Sequence, residues 1–434
     1  PREHWHFARE KEGRVTRSDR HILLKGGFEK GKIYELVYET RGAPVVGAGL
    51  LAVRDAASCI RYGDAASIVP DEFEHTYAFG VSQTGRFLRQ FLYDGLNVDE
   101  RRRPVFDGMW LHIAGAQRGD FNFRFAQPTV ATVPSLGQRF PFSTTEARDR
   151  FSARTGSLLE NLSPEARPKI IISNTSYEYW RGDASLAHID GEQDLATDDS
   201  TRIYAIAGTH HIGGVLVGGK QIKEVAATGL AVEMPLNVVN FAPVSRALVV
   251  MLDDWVARDI EPAPSRHPRI DDGTAATRES VLEAFSYDED IALLAPDKLT
   301  AIRYQVPTPG NDAGLVEQPV EEGDAYPCYV SVLDDDLNEV AGIRLPDIAC
   351  PLGVHTGWNP RAKGTGAEDQ AAIFAGFTRF FSRAEIEERY GSEHDYIGYV
   401  TAYVDTLIAE RFVLGDDRDW LIELARDRYR AATA

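Results

Sequence analysis

The feature that most constrains this chain is a serine set between two apolar segments of different period. His75–Gly80 (HTYAFG) reads as a short strand, and Gln83–Tyr93 places Phe87, Leu88, Phe91 and Leu92 at helical spacing. Between them stands Gly80-Val81-Ser82-Gln83-Thr84-Gly85. A strand that passes straight into a helix needs a sharp turn, and the residues flanking the turn must be small. A serine there stands exposed, with the N-terminal amides of the helix aimed at negative charge developing beside it. The strict pattern has glycine where this chain has Thr84; here the glycine comes one residue later, at Gly85. Spacing alone therefore leaves a second reading open, a glycine-rich turn that only packs a helix on a sheet.

The rest of the first half alternates strands and helices. Ile33–Thr40 (IYELVYET) reads as a strand. Gly47–Arg61 follows as a helix with Leu50, Val53, Ala57 and Ile60 on one stripe. Met109–Ala114 is an apolar run. Lys169–Ser173 (KIIIS) is nearly continuous in β-branched residues, as a strand buried on both faces requires. Ala184–Ile189 reads as a short helix and Arg202–Ala207 (RIYAIA) as a further strand. Val244, Leu248, Leu252, Trp255 and Val256 mark a helix ending before Pro262 and Pro264. This order predicts an α/β fold: a mostly parallel sheet with helices on both faces. Residues 117–167 break the alternation and read as a lid-like insertion.

From residue 261 the pattern changes to a proline-rich and then acidic stretch, with Asp334-Asp335-Asp336 as a solvated turn. Ile397, Val400, Val404, Leu407 and Ile408 then mark a strong helix, with Gly415 placed to cap it. A last helix covers about 419–431. We expect a core at 1–260 and a C-terminal helical extension at 261–434 packed on it.

A serine is a weak nucleophile unless a base, oriented by an acid, takes its proton. In a sheet of this kind the order is serine, acid, histidine, each at a strand end. The strand at 169–173 runs into Asn174-Thr175-Ser176-Tyr177-Glu178, and the strand at 202–207 into Gly208-Thr209-His210-His211. Ser82, Glu178 and His211 are the expected nucleophile, acid and base. Asp183, Asp190 and Asp194 are rival acids, and His210 and His355 are rival bases. The backbone N–H of Gln83 is the expected oxyanion donor. Tyr179, Trp180 and Arg181 are candidates to contact substrate.

Other chemistries find less support. The formal net charge of −19 disfavours nucleic acid and anionic membrane surfaces, so the expected partner is a small-molecule ester. No run of about 18 apolar residues is present. Cys59, Cys328 and Cys350 are too few for a disulfide framework, with a Cys328–Cys350 bridge left open. Asp190, Glu192 and Asp194 lack the fuller ligand pattern of a calcium loop and read as a solvated acidic loop. No metal site, dinucleotide fingerprint or P-loop is found, and no cofactor is expected. Compartment and oligomeric state are not read from these residues.

Taken together, the residues are recognisable. Gly80-Val81-Ser82-Gln83-Thr84-Gly85-Arg86-Phe87-Leu88-Arg89, Val105-Phe106-Asp107-Gly108, Arg124-Phe125-Ala126-Gln127-Pro128, Asn174-Thr175-Ser176 with Glu178-Tyr179-Trp180-Arg181, Ala207-Gly208-Thr209 with His211, and Thr356-Gly357-Trp358-Asn359 resemble the bacterial "alpha/beta hydrolase domain" family. The resemblance runs over nearly the whole chain. It implies an α/β-hydrolase fold and a serine hydrolase, and it favours His211 over His210 and over His355. The Gly-x-Ser-x-x-Gly spacing is similar to that of glucuronoyl esterases, and Phe106-Asp107-Gly108 is distantly similar to tannase-like esterases. It also implies further N-terminal strands and a loop able to give a second oxyanion donor, unless the Gln83 side chain serves. The activity expected is cleavage of a carboxylic ester. A peptidase, amidase or acyltransferase on the same residues, or a non-catalytic binding protein on this fold, are the alternatives.

Overall fold

The computed structural model describes residues 2–30, 47–63, 73–119, 138–212, 231–307 and 320–434, with the single positions 32, 34, 36, 38, 41, 42, 69 and 121 between them. Residues 33, 35, 37, 39 and 40 of the strand expected at 33–40 lie outside the described residues.

Four strands form the central sheet: β3 (Tyr77–Val81), β4 (Gly108–His112), β5 (Lys169–Thr175) and β6 (Thr201–Ile206). They lie in the order β6-β5-β4-β3, and every neighbouring pair is parallel. Parallel neighbours need crossovers; a helix at Gln83–Tyr93 lies in the one from β3 to β4, and a one-turn helix at Ser176–Trp180 in the one from β5 to β6. The period of two along each strand decides which side chains meet which helix. Met109, Leu111, Ile170 and Ile172 pack with Leu88, Phe91 and Leu92 of α2 (Gln83–Tyr93) and Leu50 of α1 (Gly49–Arg61). The residues between them, Trp110 and Ile171, turn to the other face. There they meet Val244, Leu248, Met251 and Trp255 of α4 (Ala242–Arg258). The sheet is thus covered on both sides, and β-branched Ile170, Ile171 and Ile172 are all fully buried. A one-turn helix, α3 (Ser176–Trp180), follows β5 directly.

One element had no counterpart in the apolar pattern. β1 (Trp5–Lys11) and β2 (Arg14–Leu24) form an antiparallel ribbon closed at Glu12-Gly13, whose φ values are 52° and 75°. Most of its residues are exposed, so no apolar stripe announced it. The two-residue turn ending in glycine is the local signal.

The same apolar cluster that includes Trp110 and Ile171 also holds Val281, Ile343, Trp358, Phe377, Tyr396, Leu407 and Tyr429. Residues on both sides of position 260 therefore share one core. Its helices α5 (Glu393–Ala409) and α6 (Arg418–Ala432) lie where the spacing placed them. Their junction differs from expectation. Gly415 does not cap α5; it opens a short 3-10 turn leading into α6. Arg411 takes the left-handed position instead, with φ 71°, and the Phe412 N–H closes on Leu407 O at 2.8 Å. Arg411 holds this conformation while its guanidinium donates to Glu261 O at 2.9 Å and Asp254 at 2.7 Å.

The acidic turn at 334–336 is a turn, but not simply a solvated one. Asp334 pairs with Arg344 at 2.7 Å and Asp336 with Arg389. The Asp194 side chain is likewise shielded from solvent and accepts the Ile270 and Asp271 N–H groups. Its neighbours Asp190 and Gln193 close a two-residue ladder. All three cysteines are free. Residues 138–167 of the insertion are fixed to the core: buried Phe142 packs edge-on against Tyr326, and Arg89 donates to Phe142 O.

Five buried histidines, His112, His188, His210, His267 and His355, are held below the usual imidazole range, in each case first by burial. His112 and His210 fall to about 4 and His355 to about 3. Between the ordinary value near 6.5 and these values, the unfolded chain binds protons that the folded chain does not. Stability present at pH 7 is therefore lost as pH falls. Each of these three groups accounts for about 2 kcal/mol at pH 5. Urea unfolding should show a loss of several kcal/mol between pH 7 and 5, and His355→Gln should reduce that loss by about 2 kcal/mol. A pH-independent midpoint would contradict this.

Candidate active site

The C-terminal ends of the four parallel strands bring distant residues to one edge of the sheet. Ser82 follows β3 directly and stands in a strained conformation, φ 53° and ψ −114°. A non-glycine residue persists there only when its surroundings hold it. The Ser82 N–H donates to His112 O at 2.8 Å, and the Arg86 N–H closes the first helical turn on Ser82 O. The glycines explain the spacing. A Cβ on Gly80 would lie 2.5 Å from Thr84 O. One on Gly85 would lie 2.9 Å from the Ala114 Cβ and 3.0 Å from Gly80 O. The close approach of helix to sheet thus falls at position 85, not 84. Thr84 is exposed, and its hydroxyl binds the backbone N–H and C=O of Val81 at 2.8 and 2.9 Å. A side chain at 84 fits because it ties the first turn of α2 back to the strand.

Glu178 and His211 come from the ends of β5 and β6. The Glu178 side chain is fully buried. One of its oxygens accepts the Thr175 N–H at 2.9 Å and the Thr175 hydroxyl at 2.5 Å. This is the reach-back of a capping box, in which a helix-start glutamate serves the backbone three residues before it. The other oxygen meets His211 Nδ1 at 2.5 Å, and His211 Nε2 lies 3.0 Å from Ser82 Oγ. Burial would push the Glu178 carboxyl up. The His211 charge and hydrogen bond, Arg181 and Thr175 outweigh it and hold the carboxyl below its ordinary value. With Nδ1 facing a carboxylate, Nε2 is left to accept the serine proton.

Two aromatic residues hold the imidazole. Phe374 stacks on His211 with centroids 4.6 Å apart and planes 19° apart, and Tyr177 meets it edge-on at 5.4 Å. Phe374 itself sits at φ 67°, a costly conformation for an aromatic residue. Gln83 is the first residue of α2, so its N–H has no acceptor within the helix. Its side chain is exposed.

The rivals lie elsewhere. Asp183 chelates Arg181 at 2.7 and 2.9 Å. Asp190 and Asp194 belong to the ladder described above. His210 is buried, and among the described residues neither ring nitrogen has a hydrogen-bond partner. His355 is buried in a short ladder and paired with the Thr378 hydroxyl at 2.9 Å. The residues expected to contact substrate are largely packed inward. Tyr179 is 2% exposed with its hydroxyl on His188, and Trp180 is 5% exposed between Phe285 and Trp358. Arg181 is committed to Asp183 and Ala114 O. A single helical turn sunk into the core leaves Tyr179 and Trp180 almost no surface, while Arg181 is partly exposed. Spacing missed Phe374, which carries no local signal. The Thr175-x-x-Glu178 capping box was there to be read. Among the described residues no cluster of three or more His, Cys, Asp or Glu could hold a metal ion, and no helix is long and apolar enough to cross a membrane.

The packing at the turn gives a direct comparison. Gly85→Ala should cost roughly 1–3 kcal/mol by forcing α2 from the sheet. Thr84→Gly should cost under about 1 kcal/mol. Urea unfolding of the two variants checks this, and a neutral Gly85→Ala would refute the packing account.

A family model described as "Alpha/beta hydrolase domain" matches residues 31–423. No curated protein and no solved structure matches the chain.

Proposed function

Because the chain belongs to the alpha/beta hydrolase domain family, a hydrolytic activity is the premise, and we propose that it cleaves a carboxylic ester through Ser82, His211 and Glu178. The observation that carries this reading is the line of contacts from Ser82 Oγ through both imidazole nitrogens to a buried carboxylate. His211 Nε2 takes the proton as Ser82 Oγ attacks the carbonyl carbon. The resulting oxyanion meets the Gln83 N–H at the start of α2. The imidazolium, steadied by Glu178, returns the proton to the leaving alkoxide, and the acyl group stays on Ser82. Water, deprotonated by the same histidine, then releases the acid. Glu178 stays ionised throughout, in keeping with the lowered position of its carboxyl.

A fluorophosphonate probe should label Ser82, and Ser82→Ala should abolish both labelling and turnover of p-nitrophenyl esters. Glu178→Gln should keep the fold and lower kcat by about 10³–10⁴-fold, because the amide no longer stabilises the imidazolium. Labelling at another residue, or Ser82→Ala with wild-type turnover, defeats the triad. Faster cleavage of matched anilides than of esters would replace esterase by amidase on the same residues.

A further inference from the structure

The acid and the base sit on separate loops, and a third segment of chain joins those loops. Residues 339–343 return along the outer edge of β6. The Ile343 N–H donates to Ala205 O at 2.7 Å, and the Ala207 N–H donates to Ile343 O at 3.0 Å. Four residues earlier, Glu339 is buried beneath the strand ends, 6% exposed. One of its oxygens accepts the Ser176 hydroxyl at 2.5 Å, and the other accepts the Gly208 N–H at 2.8 Å. Ser176 lies two residues before Glu178, and Gly208 three before His211. The nearby Trp180 side chain also favours the ionised form of this carboxylate. Besides the Glu178–His211 and Tyr177–His211 contacts, the two loops meet where the Tyr177 N–H donates to Thr209 O at 3.2 Å.

Burying a carboxylate is expensive unless donors or a cation compensate it. Among the described residues Glu339 has no cationic partner. Burial pushes its carboxyl up, against the opposing pull of Ser176, Gly208 and Trp180. An apolar residue would fill this space without that cost. What the carboxylate adds is two directed contacts, one to each loop.

We propose that Glu339 is a positioning residue, which sets the separation of the acid and base loops so that Glu178 meets His211 Nδ1. The proposal rests on the triad reading above. Glu339 touches neither Ser82 nor the imidazole; it acts through Ser176 and Gly208. It makes residues beyond 260 part of the active-site frame.

The full chain carrying E339A should show kcat on a p-nitrophenyl ester about 10–100-fold below wild type, with KM within about threefold. E339Q should recover most of the rate, because an amide can accept from Gly208 and donate to Ser176. S176A, which removes only the hydroxyl contact, should give a smaller loss of about fivefold and guards against misfolding of E339A. The deciding measurement repeats E339A in the E178Q background. A residue acting through the Glu178–His211 contact has little left to lose there, so its effect should shrink to under about threefold. An equal loss in both backgrounds, a change in KM alone, or wild-type kcat in both E339A and S176A overturns the proposal. Ser82→Ala separates the two ideas. If it silences the enzyme while the Glu339 variants match wild type, only the positioning role falls. If it leaves turnover intact, the triad falls and the positioning role with it.

Discussion

The carboxylate of Glu178 makes two commitments at once, and the arrangement around Ser82 depends on their being compatible. One oxygen closes the N-terminus of its own helix through Thr175, and the other faces His211. The first fixes where the carboxylate is; the second uses that fixed point to aim an imidazole. A free glutamate would lose side-chain entropy each time it met the histidine. Here that cost is met by the local fold of Thr175–Trp180, before His211 is considered. The helix is only one turn long, so its start and its functional side chain are the same structure.

Much of this was legible in the residues because parallel sheets are repetitive. Ile170–Ile172 announces a strand covered on both sides, and α2 begins and ends where its apolar spacing ends. That Ser82, Glu178 and His211 follow the ends of β3, β5 and β6 on one edge is a consequence of that regularity. Local pattern failed where tertiary contact decides. Tyr179 and Trp180 look like pocket residues beside the acid, yet the turn that presents Glu178 drives them into the core. Gly415 looks like a cap, but Arg411 found anchors on Glu261 and Asp254 that stabilise an unfavourable φ. The β1–β2 ribbon escaped notice because it buries almost nothing.

The second half of the chain reads as an appendage by composition but shares the core in structure. Ile343, Trp358 and Phe377 join the cluster beneath the sheet. Phe374 covers the imidazole from the same segment, and Glu339 ties the loops from another. None of these has a short motif, since each depends on where a distant backbone happens to pass. The departure at Thr84 shows the same thing on a smaller scale. What the turn requires is room at the point where α2 touches Ala114, and that point is position 85.

The order of residues along the chain has a consequence for biosynthesis. Ser82, Glu178 and His211 all precede position 212 in the sequence, but the ring that stacks on His211 is residue 374. During synthesis His211 is therefore made before its stacking partner. The arrangement around His211 is thus complete only once residues beyond 260, Glu339 and Phe374 among them, have folded against the strand ends.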